Sequence, residues 1–444
     1  MTRGRFILGG GVTGLAAGIA SGLPVLEGAE RPGGICSSYY VRPGATERLS
    51  HNPPDGEAYH FEIGGGHWIF GGDPSVLRFI RGLTEVGSYA RRSSVFFPES
   101  SLYVPYPLQN HLRLINHGTA EKALAEMARP KTSTRTMKEW MEQSFGPTLC
   151  EMFFYPFHDL YTSGLYTRVA PQDDYKSPVN LSVAIRGALG QAAPVGYNVT
   201  FIYPNEGLNT LAQRMADQCD VHYGKRVSGV DVVNRELRFE DGSGAAYESL
   251  ISTLPLNRML ELTGLAVDCE ADPHTSVLVL NIGAVKGDRC PPDHWLYLAK
   301  TQSGFHRVGF YSNVDQSFLP ASARATQDRV SIYVERAYVQ GKRPDECEVE
   351  RYSQEVVREL QDWGFIGDVE VIDPTWIDVA YTWSWPDSPW KKSALRLLEE
   401  HDISQVGRYG RWIFQGIADS IRDGFFVGAS LKGCPEGANI LAQS

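Results

Sequence analysis

The first 27 residues constrain the fold more tightly than any other stretch of this 444-residue chain. Arg5-Phe6-Ile7-Leu8 reads as a short buried strand, and Gly9-Gly10-Gly11-Val12-Thr13-Gly14 as a turn. Leu15–Ala20 then reads as a helix, and Leu23-Pro24-Val25-Leu26 as a second strand ending at Glu27. Glycines stand at the first, third and sixth positions of that turn. The first permits a tight bend, the second lets backbone approach a pyrophosphate, and the third lets helix and strand pack closely. An anion would sit at the helix N-terminus, where unpaired N–H groups and the helix dipole favour negative charge. Glu27 would accept hydrogen bonds from an adenosine ribose. Gly9 and Glu27 are 18 residues apart, so the helix between them must be short. A second glycine pair, Gly33-Gly34, supports the same dinucleotide-binding reading.

At this length two to three domains with a large core are expected. The 42 Lys and Arg against 52 Asp and Glu give a net charge of −10. That balance provides no basic footprint for nucleic acid. Seven scattered cysteines, none in a Cys-x-x-Cys pair, argue against a disulfide framework and a zinc site and point to a reducing cytoplasm. The N-terminus has no signal-peptide pattern. The longest apolar runs, such as Val277–Leu280, fall far below the roughly 20 residues of a membrane span.

Further along, Gly64-Gly65-Gly66-His67 lies between apolar runs and reads as a loop whose backbone approaches something large or flat. Residues 119–165 are helix-forming. Val230–Val233 and Glu236–Phe239 read as a hairpin, and Leu250–Thr253 as a buried strand. Residues 275–335 are rich in strand formers, 350–364 read as a helix, and Phe425–Gly428 as a strand or helix closing the chain. The class is therefore α/β: a Rossmann-type domain (1–75, 205–255 and 400–444), a helical insert (110–190), and an antiparallel-sheet substrate domain (76–109, 191–204 and 256–399).

Several segments together resemble the flavin-dependent UDP-galactopyranose mutases, within the wider group of protoporphyrinogen oxidases and amine oxidases. They are Gly9–Gly14 with Glu27 and Gly33-Gly34; Gly65-Gly66-His67-Trp68-Ile69-Phe70; and Tyr103-Val104-Pro105-Tyr106-Pro107-Leu108-Gln109-Asn110. Arg168-Val169-Ala170-Pro171, Tyr197-Asn198-Val199-Thr200-Phe201, Trp295-Leu296-Tyr297, Phe305-His306-Arg307 and Gly407-Arg408-Tyr409-Gly410 follow in the family's order.

The resemblance implies FAD held by Gly9, Gly11, Val12, Thr13, Gly14, Glu27, Gly33, Gly34, Gly65, Gly66, Arg408 and a C-terminal helix start at Ala418-Asp419-Ser420. Val227 would contact adenine through its backbone. His67 would lie near the flavin ring. Tyr106 and Gln109 would hold a uracil, and Asn198, Tyr297 and Trp385 would line the substrate cleft. Arg168 and Arg307 would bind sugar and diphosphate and neutralise the leaving group. The implied reaction is a pyranose–furanose isomerisation of a nucleotide sugar, with reduced flavin N5 attacking the anomeric carbon and NADPH or NADH as external reductant. Cell-wall or polysaccharide biosynthesis would be its setting. The alternative is a flavin oxidoreductase of the protoporphyrinogen oxidase or amine oxidase kind. His158, Thr162, Trp385 and Phe414 depart from the mutases' usual residues, so the resemblance reaches the chemistry further than the sugar.

Overall fold

The computed structural model describes residues 3–172, 179–191 and 199–432. Strand β1 (Gly4–Leu8), helix α1 (Val12–Ser21) and strand β2 (Val25–Leu26) form the expected βαβ unit, with β1 and β2 parallel. Val221–His222 pairs in parallel with β2, and Gly244–Ser252 with the other side of β1. Ile403–Gln405 joins Gly244–Ser252 in parallel, so three distant stretches complete one sheet around the N-terminus. The hairpin Val227–Asp231 and Glu236–Phe239 extends it. Its first strand stops at Asp231, whose carboxylate takes the N–H groups of Val233 and Asn234 and turns the chain.

A second sheet has the order Ile366–Thr382, His274–Lys286, Arg329–Val339, Arg307–Phe310, Trp295–Leu298, Ser93–Phe97, Leu102–Pro105. All neighbours are antiparallel except Trp295–Leu298 with Ser93–Phe97, which run parallel because a long excursion separates them in sequence. Thr275–Ala284 are buried throughout. This strand is therefore covered on both faces, which explains its near-continuous apolar run. The helix Glu346–Asp362 starts earlier than its sequence suggests, because Asp345 and Glu348 form a capping box. Phe425–Gly428 are helical, inside Ile417–Lys432, which packs along α1.

The helical stretch comprises His117–Met127, Met137–Leu149, a π-turn at Cys150–Phe154, Tyr155–Thr162 and Leu181–Ala188. Thr136 and Glu139 cap the second of these reciprocally, and Gly146-Pro147 kinks it. The turn and the following helix carry Phe153, Phe154, Phe157 and Tyr161 on a common flank. That flank faces the second sheet and forms one wall of the site. Among the described residues no helix is long and apolar enough to cross a membrane.

Candidate functional site

One cavity, with about 2310 Å³ of free space partly open to solvent, runs from the glycine turn after β1 to the aromatic flank of the helical stretch. Gly9, Gly11, Val12, Thr13, Glu27, Gly33 and Gly34 line one end. No side chain caps α1, whose N-cap is Gly11, so bare backbone faces the space. Glu27 holds the turn itself: its carboxylate accepts the N–H of Gly10 at 2.5 Å and of Ala29 at 2.7 Å.

The Gly64–Gly66 loop shows a division of labour that the sequence does not reveal. A β-carbon on Gly64 would collide with the His67 ring, and one on Gly66 with the Tyr333 hydroxyl. One on Gly65 would lie 2.8 Å from Glu335 Oε1. The loop's closeness is thus first to the protein's own strand Arg329–Val339. Gly64, Gly66 and His67 still line the cavity, and Gly65 does not. Burial, aided by the charge of Arg408, pushes the His67 pKa down, so its imidazole is neutral. Its Nδ1 is buried without a partner.

Arg408 donates to the carbonyls of Ala380 (3.0 Å) and Gln415 (3.3 Å) and packs on the rings of Tyr381, Tyr409 and Phe414. A fixed positive charge therefore lines the cavity. The start of the C-terminal helix adds Gly416, Ile417 and Ser420 to the lining; Ala418 and Asp419 lie off it, Ala418 in the core and Asp419 near Arg422.

At the far end Tyr106 and Tyr297 pack at 4.7 Å between ring centroids. Arg91 donates to the Tyr106 carbonyl at 3.0 Å and forms no ion pair among the described residues. Arg307 lines the same space but is gripped by Glu335 through three contacts of 2.5–3.0 Å. Burial alone would raise the Glu335 carboxyl; the Arg307 guanidinium overrides it and holds the carboxyl at about 2. His306, beside the pair, is 1% exposed.

Other expected residues lie elsewhere. Arg168 is exposed and stacks over Trp385 at 4.7 Å, and neither lines the cavity. Gln109 is fully buried in the turn Leu108–Asn110, away from the lining. Val227 borders a separate hollow beyond Glu27, and Gly14 is packed inside the turn. Asn198 lies outside the described residues. His158 and Phe414 line the cavity, whereas Thr162 is buried and bonds back to the His158 carbonyl. Glu335, His306, Arg91 and Tyr161 escaped sequence reasoning. Glu335 had a signal: Ser331, Tyr333 and Glu335 alternate with Val330, Ile332 and Val334 along the buried run of the strand Arg329–Val339, which sets them on one face.

Residues 22–438 match the family described as flavin containing amine oxidoreductase. The chain belongs to the flavin-containing amine oxidoreductase family. Among solved structures, this flavoprotein is similar to a reduced UDP-galactopyranose mutase at 20% identity and a TM-score of 0.81, covering 97% of this chain and 96% of that one. A putative protoporphyrinogen oxidase from Exiguobacterium sp. matches at 12% identity and 0.68, covering 97% and 99%. A putrescine oxidase bound to putrescine matches at 16% and 0.54, covering 97% and 99%. The family implies FAD, and the residues present fit it. A β-carbon on Gly11 would meet only the Gly33 carbonyl oxygen at 3.9 Å, and one on Gly34 only the Gly11 Cα at 3.7 Å. Both positions border open space that any side chain would fill, as a diphosphate cradle requires.

Proposed function

We propose that this flavoprotein interconverts the pyranose and furanose forms of a nucleotide sugar. The observation that carries the reading is a single cavity that joins the glycine cradle and His67 to Arg91, Arg307 and the Tyr106–Tyr297 pair. The fold likeness to a UDP-galactopyranose mutase supports it. Reduced FAD, when bound, supplies a nucleophilic ring nitrogen for displacement at an anomeric carbon, and NADPH or NADH is its reductant.

The chain's own residues then have distinct tasks. Gly9, Gly11, Val12, Thr13, Gly33, Gly34 and Ser420 hold the cofactor, with Glu27 bracing the turn. His67, neutral, keeps an uncharged polar edge at the flavin ring. Tyr106 and Tyr297 flank the base, and Arg91 and Arg307 take the diphosphate, whose charge grows as the sugar leaves. The aromatic wall of Phe157, Tyr161 and Tyr381 excludes water from the sugar. That wall, and the carboxylate already paired with Arg307, also favour a second reading, oxidation of an amine or porphyrinogen.

Incubating dithionite-reduced protein with a panel of nucleotide sugars is expected to give ring-size isomers, and Arg307→Ala to lower kcat/KM by about a hundredfold or more, on the scale of a lost charge-stabilising contact. No isomer from any sugar, together with hydrogen peroxide release from an amine or porphyrinogen, selects the second reading. Arg91→Ala is expected to weaken UDP binding about tenfold, the worth of one charge-assisted hydrogen bond. Fluorescence titration measures it, with flavin content unchanged as the control.

A further inference from the structure

The Arg307–Glu335 pair poses an electrostatic problem for any anion that enters this cavity. Its guanidinium is already neutralised, and its carboxylate would repel the newcomer. Next to it stands a second buried group without a task. His306 has a side chain 2% exposed, and neither ring nitrogen has a hydrogen-bond partner. Its Nε2 lies 3.6 Å from Glu335 Oε2, just beyond hydrogen-bond reach. Orphaned polar atoms at such depth are costly unless some state of the protein uses them.

We propose that anion capture at Arg307 is coupled to proton uptake by His306, which replaces Arg307 as the counter-ion of Glu335. Before binding, the three groups sum to zero charge. After binding, Arg307 faces the phosphate oxygens, and an imidazolium donates from Nε2 to Glu335 Oε2. One proton comes from solvent and no other bond changes. This rests on the nucleotide-sugar reading above, whose diphosphate is the anion.

The surroundings agree with the assignment. Besides Glu335 and Arg307, tyrosines and one further histidine surround this end. Of the other charges on the packed elements, Asp159 is exposed, Arg336 donates to the Ser303 carbonyl, and Arg329 pairs with Glu370. None of these, nor any carboxylate of Ile366–Thr382, lines the cavity. Tyr161 stands 5.3 Å from the His306 ring on one helix, where His158 also borders the cavity, with Tyr297, Tyr333 and Tyr381 on neighbouring strands. No second carboxylate competes for the proton among the residues lining this end. Burial pushes the free imidazole's pKa below its usual 6.5 against the pull of Glu335, so the unbound protein holds His306 neutral. Moving Arg307 toward an anion leaves Glu335 uncompensated and raises the affinity of His306 for a proton.

Coupling of this kind is reciprocal: if binding raises proton affinity, protons raise ligand affinity. Between the free and bound pKa values of His306, Kd should therefore rise up to about tenfold per pH unit. The test uses the holoenzyme with oxidised flavin, so that nothing turns over, and UDP-galactose, whose diphosphate diester does not titrate near neutrality. Calorimetry at pH 7.5 in buffers of different ionisation heat reads the protons exchanged. About one proton taken up per ligand is expected, falling to near zero in His306→Phe and His306→Gln, with normal flavin spectra and melting temperatures as folding controls. Glu335→Gln should abolish the uptake too. Binding without uptake by the wild type overturns the coupling, and uptake that survives in both His306 variants overturns the assignment to His306. Absence of binding by any nucleotide sugar overturns the underlying reading instead.

Discussion

Gly14→Ala is expected to yield a colourless apoprotein. A β-carbon here would collide with the carbonyl oxygen of Gly9, in the same turn, and come within 3.4 Å of the Ile7 side chain. Neither neighbour can give way. The Gly9 amide is tied to the Leu26 carbonyl at 2.9 Å, the Gly10 amide to Glu27, and Ile7 is fully buried. The start of α1 must move instead, and with it the amides that face the cavity. Cradling a diphosphate depends on those amides to within a few tenths of an ångström. Loss of two or more such bonds corresponds to about 3 kcal/mol, or roughly a hundredfold in FAD affinity. The ratio of flavin to protein absorbance after purification measures it. Gly82→Ala is the control. That glycine is exposed on the helix Pro74–Leu83, and a β-carbon there meets nothing within 4 Å. It should retain its flavin and gain about 0.5–1 kcal/mol of stability. A yellow Gly14→Ala protein of normal affinity would remove this turn from the cofactor site.

The contrast between Gly14 and Glu335 shows what a sequence of this kind displays. Gly9 to Glu27 is local: turn, helix and strand are neighbours along the chain, and the carbonyl that makes Gly14 necessary, that of Gly9, lies within the same turn. The helix-forming stretch 119–165 and the strand-forming stretch 275–335 are legible for the same reason, since residue type and hydrophobic pattern along the chain are local properties. The loop Gly64–Gly66 is half legible. Its need for close backbone approach is visible, but its partners Tyr333 and Glu335 come from some 270 residues later in the sequence. Arg168 and Trp385 show the limit from the other side. Arg168 sits in a recognisable motif and Trp385 at a position where the resemblance implies a cleft residue, yet they meet one another outside the cavity. Whether a charge is free or neutralised is a tertiary fact, and the carboxylate that decides it for Arg307 lies on another strand.

Glu335→Ala is expected to destabilise the protein by about 3 kcal/mol, because truncating one member of a buried ion pair leaves the other desolvated and uncompensated. The lower end of the usual range applies, since the Arg307 side chain keeps 21% exposure toward the cavity. Arg307→Leu combined with Glu335→Leu should recover most of the loss, because two apolar groups need no mutual compensation. Chemical denaturation of the two single variants and the double variant gives the coupling directly. The same pair sets an acid limit. Folding holds the Glu335 carboxyl at about 2, below its ordinary 4.5. A carboxylate with a depressed pKa contributes stability that is fully present above the unfolded value and lost as pH falls toward the folded one. Wild-type stability should therefore decline between about pH 5 and pH 2 through this group. Glu335→Gln, which keeps the volume and cannot titrate, should show a flatter profile over that window. Equal acid sensitivity in the two proteins would mean that Glu335 does not carry this share of the pH dependence. A single variant as stable as the wild type would mean that the guanidinium finds solvent or another acceptor when its carboxylate is gone.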